Sequence, residues 1–207
     1  MFQTITQNST FEVTEKKSRF IAYVLYVENK EEAENRIKEF KKKFHDARHN
    51  CSAYRVISSG TIYEKSSDDG EPSGTAGAPM LNILQKNNLC NVLVVVTRYF
   101  GGILLGTGGL VRCYSDATIG AIKKAKKDII EEGQEFQVEV SYNYLETFKY
   151  YCRKKDINII DMSYDEKITC NIEIEDKRIK AFLEDIENKR INANNIRKIG
   201  RVYIKKN

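Results

Sequence analysis

The nine residues Asn91–Tyr99, NVLVVVTRY, constrain this chain more than any other stretch. Val92–Val96 carries no polar side chain, so a strand built from it has no face to offer to water. Such a strand must be central and covered on both sides. It runs directly into the glycine loop Gly101–Gly109, and that loop into a helical stretch from Leu110 to about Lys127. Basic residues close that helix, where the macrodipole favours them. A buried strand, a permissive loop and a helix in immediate succession leave the other elements to be layered around them.

Those elements can be read in turn. Phe11–Val13 is a short strand, and Ser18–Val27 is a strand rich in aromatic and β-branched residues. Asn29 caps a helix with Glu31 and Glu32 in its first turn and Ala33, Ile37, Phe40 and Phe44 at helical spacing. Cys51–Ile57 and Thr61–Glu64 form a hairpin around Ser58-Ser59-Gly60, Ser66–Gly77 is a loop, and Pro79 starts a helix to about Lys86. From about residue 131 the order is strand Phe136–Tyr142, helix Leu145–Lys154, strand Ile157–Tyr164, strand Lys167–Ile174, helix Lys177–Glu187 and strand Ile196–Ile204. That βαββαβ order predicts a ferredoxin-like second domain. The expectation is an α+β chain of two domains, 1–130 and 131–207.

The chain has 207 residues, 34 of them Lys or Arg against 29 Asp or Glu, which is ordinary globular composition. Residues 1–128 hold 19 basic and 14 acidic residues, whereas residues 129–207 hold 15 of each. Between Pro72 and Ser115 there is no carboxylate, while Lys86, Arg98 and Arg112 are present. A segment of that kind accepts a polyanion without repulsion, although buried core also lacks charge. No segment reaches the roughly 20 apolar residues of a membrane helix. Met1–Glu12 has no basic residue, so no leader is expected. Five scattered cysteines without a CxxC pair read as reduced thiols of a cytoplasmic protein.

Three clusters could carry chemistry. His45, His49 and Cys51 lack a fourth ligand nearby, so no metal site is expected, and His49 beside Cys51 reads as a hydrogen-bonded imidazole next to a small hydrophobe. Asp68, Asp69 and Glu71 lie among small residues ahead of a helix. They either cap that helix or, with His49, line a hydrolase-type pocket. The third cluster is the strand end Arg98-Tyr99-Phe100 with Gly101, Gly102, Gly108, Gly109 and Arg112. It sets two arginines and two aromatics around a helix N-terminus, where phosphate and bases can be held. It matches neither GxGxxG nor GxxxxGK[ST], and no cofactor is expected.

Taken together, Arg48-His49-Asn50-Cys51 with Ala53-Tyr54-Arg55, the run Asp68–Gly77, and the run from Arg98 to Arg112 resemble the IMPACT/YigZ family. The resemblance covers about residues 18–120, and the second domain fits the bacterial members in position and length. It implies an N-terminal domain similar to the second domain of a ribosomal small-subunit protein and to domain IV of elongation factor G. It implies a C-terminal domain similar to elongation factor G domain V. Members are linked to translation and its regulation, so RNA or the ribosome is the implied partner. Arg98, Tyr99, Phe100 and Arg112 would be the contacts, with Tyr54 and Arg55 on an adjoining strand. A protein partner on the second domain is the further possibility. Leu104 and Ala78 stand where relatives often carry Lys, which leaves Arg98 and Arg112 as the main positive charges of the motif region.

Overall fold

The computed structural model describes residues 2–58 and 61–205. The chain separates into two compact units, Met1–Ile129 and Ile130–Asn207. In order, the first holds β1 (Phe2–Ile5), β2 (Ser9–Glu15), β3 (Ser18–Tyr26), α1 (Lys30–Lys43), β4 (His49–Ser58) and β5 (Thr61–Ser67). It continues with α2 (Gly77–Lys86), β6 (Val92–Tyr99) and α3 (Gly106–Lys124). Of the turn expected around Ser58-Ser59-Gly60, Ser59 and Gly60 fall outside the described residues.

The sheet order is β2-β3-β6-β4-β5, every pair antiparallel, with β6 at the centre. The physical reason is visible in the side chains. Val92, Val94 and Val96 face a core closed by α2 and α3, with Met80, Leu84, Cys113 and Ala117. Leu93 and Val95 face the opposite core, where Ala33, Ile37 and Phe40 of α1 pack with Tyr54 and Val56. Helices therefore cover both faces, and the uninterrupted apolar run is the consequence. α1 starts as its sequence dictates, with Asn29 Oδ1 accepting from Glu32 N at 2.9 Å.

Two boundaries of α3 differ from the sequence reading. The helix begins at Gly106, so Gly108 and Gly109 belong to its first turn and not to the loop. It ends at Lys124, because Ala125 is extended and Lys126 O accepts from Thr6 N at 2.8 Å.

Strand β7 (Lys127–Val140) begins in the first unit and continues into the second, which also holds α4 (Leu145–Lys154), β8 (Asn158–Tyr164), β9 (Ile168–Glu175), α5 (Asp176–Glu187) and β10 (Asn194–Lys205). Its strands lie in the order β10-β7-β9-β8, all antiparallel. Phe136, Val138 and Val140 alternate inward and meet Phe148, Ile172 and Phe182. Strand β7 starts nine residues before the expected Phe136. All five cysteines are buried free thiols. Among the described residues no helix is long and apolar enough to cross a membrane.

Candidate functional site

Strands β4 and β6 place His49 directly opposite Arg98. The loop from Asp68 to Ala76 passes over this pair, and its three carboxylates take three separate roles. Asp68 turns toward the start of α2 and accepts from Gly74 N, Ala76 N and Gly77 N at 2.8–3.0 Å. It thereby satisfies the free N–H groups where α2 begins. Burial works to raise its pKa, but these three donors outweigh that and hold it below the ordinary carboxylate range. Asp69 accepts from Lys41 Nζ at 2.5 Å and from Asn50 N at 2.7 Å. Glu71 alone enters the interior.

The Glu71 side chain is 2% exposed and that of Arg98 is 6% exposed. Arg98 Nη1 donates to Glu71 Oε1 at 2.6 Å, and Tyr114 Oη donates to the same oxygen at 2.8 Å. The guanidinium also lies against the rings of Phe20 and Phe100, at 5.2 and 5.5 Å. His49 Nδ1 donates to the Asp69 carbonyl at 2.8 Å, which leaves Nε2 directed at Glu71 Oε2, 3.8 Å away. Cys51 Sγ donates to the Asp68 carbonyl, and burial pushes its thiol up to about 12. It is therefore no thiolate partner for His49. Burial likewise drives the Tyr114 phenol well above its ordinary range, so it stays a donor to Glu71.

Above this network lies a cleft of about 390 Å³. Its floor includes His49, Glu71 and Arg98, and its walls include Phe100, Leu105 and Thr107. The N-terminus of α3 opens on it. That first turn, Gly106-Thr107-Gly108-Gly109, has neither an acidic residue nor a side-chain cap. Gly106 sits at φ +72°, a conformation that suits glycine at the helix entry. Gly101 is required for a different reason. A Cβ there would stand 2.1 Å from the Lys17 carbonyl carbon, so the loop can cross the β2–β3 turn only without a side chain. On the rim Phe100 is 39% exposed, and the exposed Arg48 lies over its ring at 5.6 Å.

The Impact N-terminal domain model matches residues 16–122, and a second model, a domain of unknown function (DUF1949), matches residues 138–189. The IMPACT family member YvyE of Bacillus subtilis is 36% identical over 187 residues, covering 87% of this chain and 83% of that protein. The chain belongs to the IMPACT family. IMPACT family member YigZ of Escherichia coli is 32% identical over 168 residues, covering 81% and 82% of the two chains. A crystal structure described only as that of a hypothetical protein superposes with a TM-score of 0.69 at 29% identity, over 93% of this chain and 95% of the other.

Within this IMPACT chain the residues singled out from sequence separate into groups. His49, Glu71, Arg98 and Phe100 do meet at the cleft. The hydrolase-type pocket of His49, Asp68, Asp69 and Glu71 is not assembled, because Asp68 caps α2 and Asp69 is held by Lys41 and Asn50. Arg98 is not an open cation for phosphate, since its charge is spent on buried Glu71. Tyr54 is 1% exposed and donates to Glu34. Arg55 is 7% exposed and donates to Glu64 and to the Leu89 carbonyl. Both lie too far along β4 to share the cleft, since Arg55 is about 20 Å of strand beyond His49. Gly108 and Gly109 contribute as the opening turn of α3, not as loop. Tyr99 donates to Asp46 at 3.2 Å. Gly102, at φ +86°, turns the exposed loop, and Arg112 pairs with Glu15 at the surface.

Arg48, which also lines the cleft, is not among the residues singled out from sequence. Its approach to Phe100 follows from its place just before β4, where its N–H donates to the Arg98 carbonyl at 3.1 Å. Local sequence carried only the hint that it begins the RHNC motif.

Proposed function

We propose that this chain is an RNA- or ribosome-binding protein acting in translation and its regulation in the cytoplasm, and that the face where α3 begins makes the contact. Membership of the IMPACT family supports the translation setting. The observation that carries the site is the exposed Arg48, in cation–π contact with Phe100, beside the uncapped start of α3. A planar cation on an aromatic ring offers one surface to a base and another to phosphate, and the free N–H groups of a helix start attract the same anion. The carboxylate among the cleft's lining residues, Glu71, is paired with Arg98 and so repels an anion less. The sheet order β10-β7-β9-β8 supports reading the second unit as ferredoxin-like, in keeping with the resemblance to elongation factor G.

Co-sedimentation with ribosomal subunits across a salt series tests this, with wild type beside Arg48→Glu/Phe100→Ala. Wild-type binding should fall steeply with salt, and the variant should bind at least tenfold more weakly with its circular dichroism unchanged. Equal binding by the variant, or none by wild type at low salt, rejects the site.

A further inference from the structure

The zero net charge of residues 129–207 conceals a sharp division. Residues 129–187 hold 8 basic and 15 acidic residues, whereas residues 188–207 hold 7 basic and no acidic ones. The fold pairs most cations of the first segment, and Arg190 of the second pairs with Asp185. Of the eight cations before residue 188, Lys149, Lys155, Lys167, Lys177, Arg178 and Lys180 each pair with a carboxylate. Strand β10 behaves differently. Arg197, Lys198 and Arg201 are all exposed, and none has a carboxylate within ion-pair distance among the described residues. The acids of neighbouring β7 are engaged elsewhere or face other residues. Glu139 holds Lys167 and Asn195, Glu131 holds Lys177, Glu132 lies opposite Tyr203, and Glu135 lies opposite Gly200.

Among the described residues, strand β10 is also an edge, paired within its sheet with β7. Charge on an edge strand guards against pairing with other chains, but mixed signs would serve that purpose equally well. A single sign selects a partner of the opposite one. The register is broken on both sides of Arg197-Lys198, between Asn194 and Arg197 and between Lys198 and Gly200. Such irregularities obstruct the addition of a further strand and leave the cations as point charges on a bent edge. Arg197 to Arg201 spans about 13 Å of strand, long enough to meet more than one phosphate of a nucleic-acid strand. Ile199, 47% exposed between these cations, adds apolar surface for a sugar or base.

We infer that the β10 edge of the second unit is a backbone-reading RNA contact in which Arg197, Lys198 and Arg201 meet phosphates from the two sides of the bent edge. This extends the RNA-binding reading above and rests on it, but it uses different residues in a different unit.

The test is fluorescence anisotropy of the full chain with a labelled single-stranded RNA of about 20 nucleotides between about 50 and 200 mM KCl. Wild type is compared with Arg197→Ala/Lys198→Ala/Arg201→Ala and with Arg48→Ala/Phe100→Ala. Losing three phosphate contacts should flatten the slope of log K against log salt by about 2 and weaken binding at least tenfold. A Gln version of the triple variant serves if the Ala version does not fold. An unchanged slope in the folded triple variant overturns the inference while leaving the first-unit site standing. Loss of binding in the triple variant alone supports the β10 contact and removes the first-unit site. No binding by wild type removes both. Tighter binding to a Glu-rich peptide than to the RNA also overturns the inference, because the edge would then suit an acidic protein.

Discussion

At the scale of single residues, Arg98 shows how burial reverses a reading of charge. In sequence it is one of three cations in a carboxylate-free stretch. In the fold it is the counter-ion of Glu71, 27 residues away, with neither side chain open to water. Removing one partner of such a pair strands a buried charge. Arg98→Ala should cost about 3–5 kcal/mol in urea denaturation, whereas Arg112→Ala should stay within about 0.5 kcal/mol. Removing Glu71 and Arg98 together should cost less than the sum of the two single changes. Asp68 gives a pH-dependent counterpart. Its pKa is lower in the fold than in the unfolded chain, so its cap is at full strength above the ordinary carboxylate range. That contribution is lost as pH falls through the depressed folded value. Asp68→Ala should cost about 1–2 kcal/mol near pH 7, and thermal melts should show the gap closing as pH drops below about 4.

At the scale of elements, the connection between β6 and α3 is decided by backbone approach. Gly101 N donates to Ser18 Oγ at 3.1 Å, while a Cβ on Gly101 would collide with the Lys17–Ser18 peptide. Gly101→Ala must push backbone against backbone, which no rotamer can relieve. We expect about 1–3 kcal/mol of lost stability and weaker ribosome co-sedimentation, since Phe100 and the start of α3 shift with the loop. Gly102→Ala meets no neighbour, but its φ of +86° still penalises a side chain. It should lose about 1–2 kcal/mol through backbone strain alone.

At the scale of the whole molecule, each unit owns a core. The first centres on the valines of β6, and the second on Phe136, Phe148, Ile172 and Phe182. Phe148 is fully buried, so Phe148→Ala should destabilise the second unit by about 3–5 kcal/mol. Hydrogen exchange should show protection lost across β9 and Phe136–Val140 while amides of β6 keep theirs. Uniform loss of protection in both units would reject independent cores. Charge belongs to this scale too, because the neutral sum of residues 129–207 hides the cationic β10 edge until the sequence is divided at Glu187.

The sequence by itself determined what depends on neighbours along the chain. The uninterrupted Val92–Val96 run demanded a central strand, the Asn29 cap announced α1, and the order of apolar runs gave most elements of the second unit. The three long motifs were enough to reach the family. Only the tertiary structure decided which side chains meet. Glu71 finds Arg98 and Tyr114 across gaps of 27 and 43 residues, and three adjacent carboxylates diverge to a helix start, a lysine and a buried arginine. The start of α3 at Gly106 was hidden as well, because glycine disfavours helix locally and only the loop anchored at Gly101 fixes where the chain turns. Contacts between distant residues are set by strand pairing and packing, and no local pattern of residues encodes them.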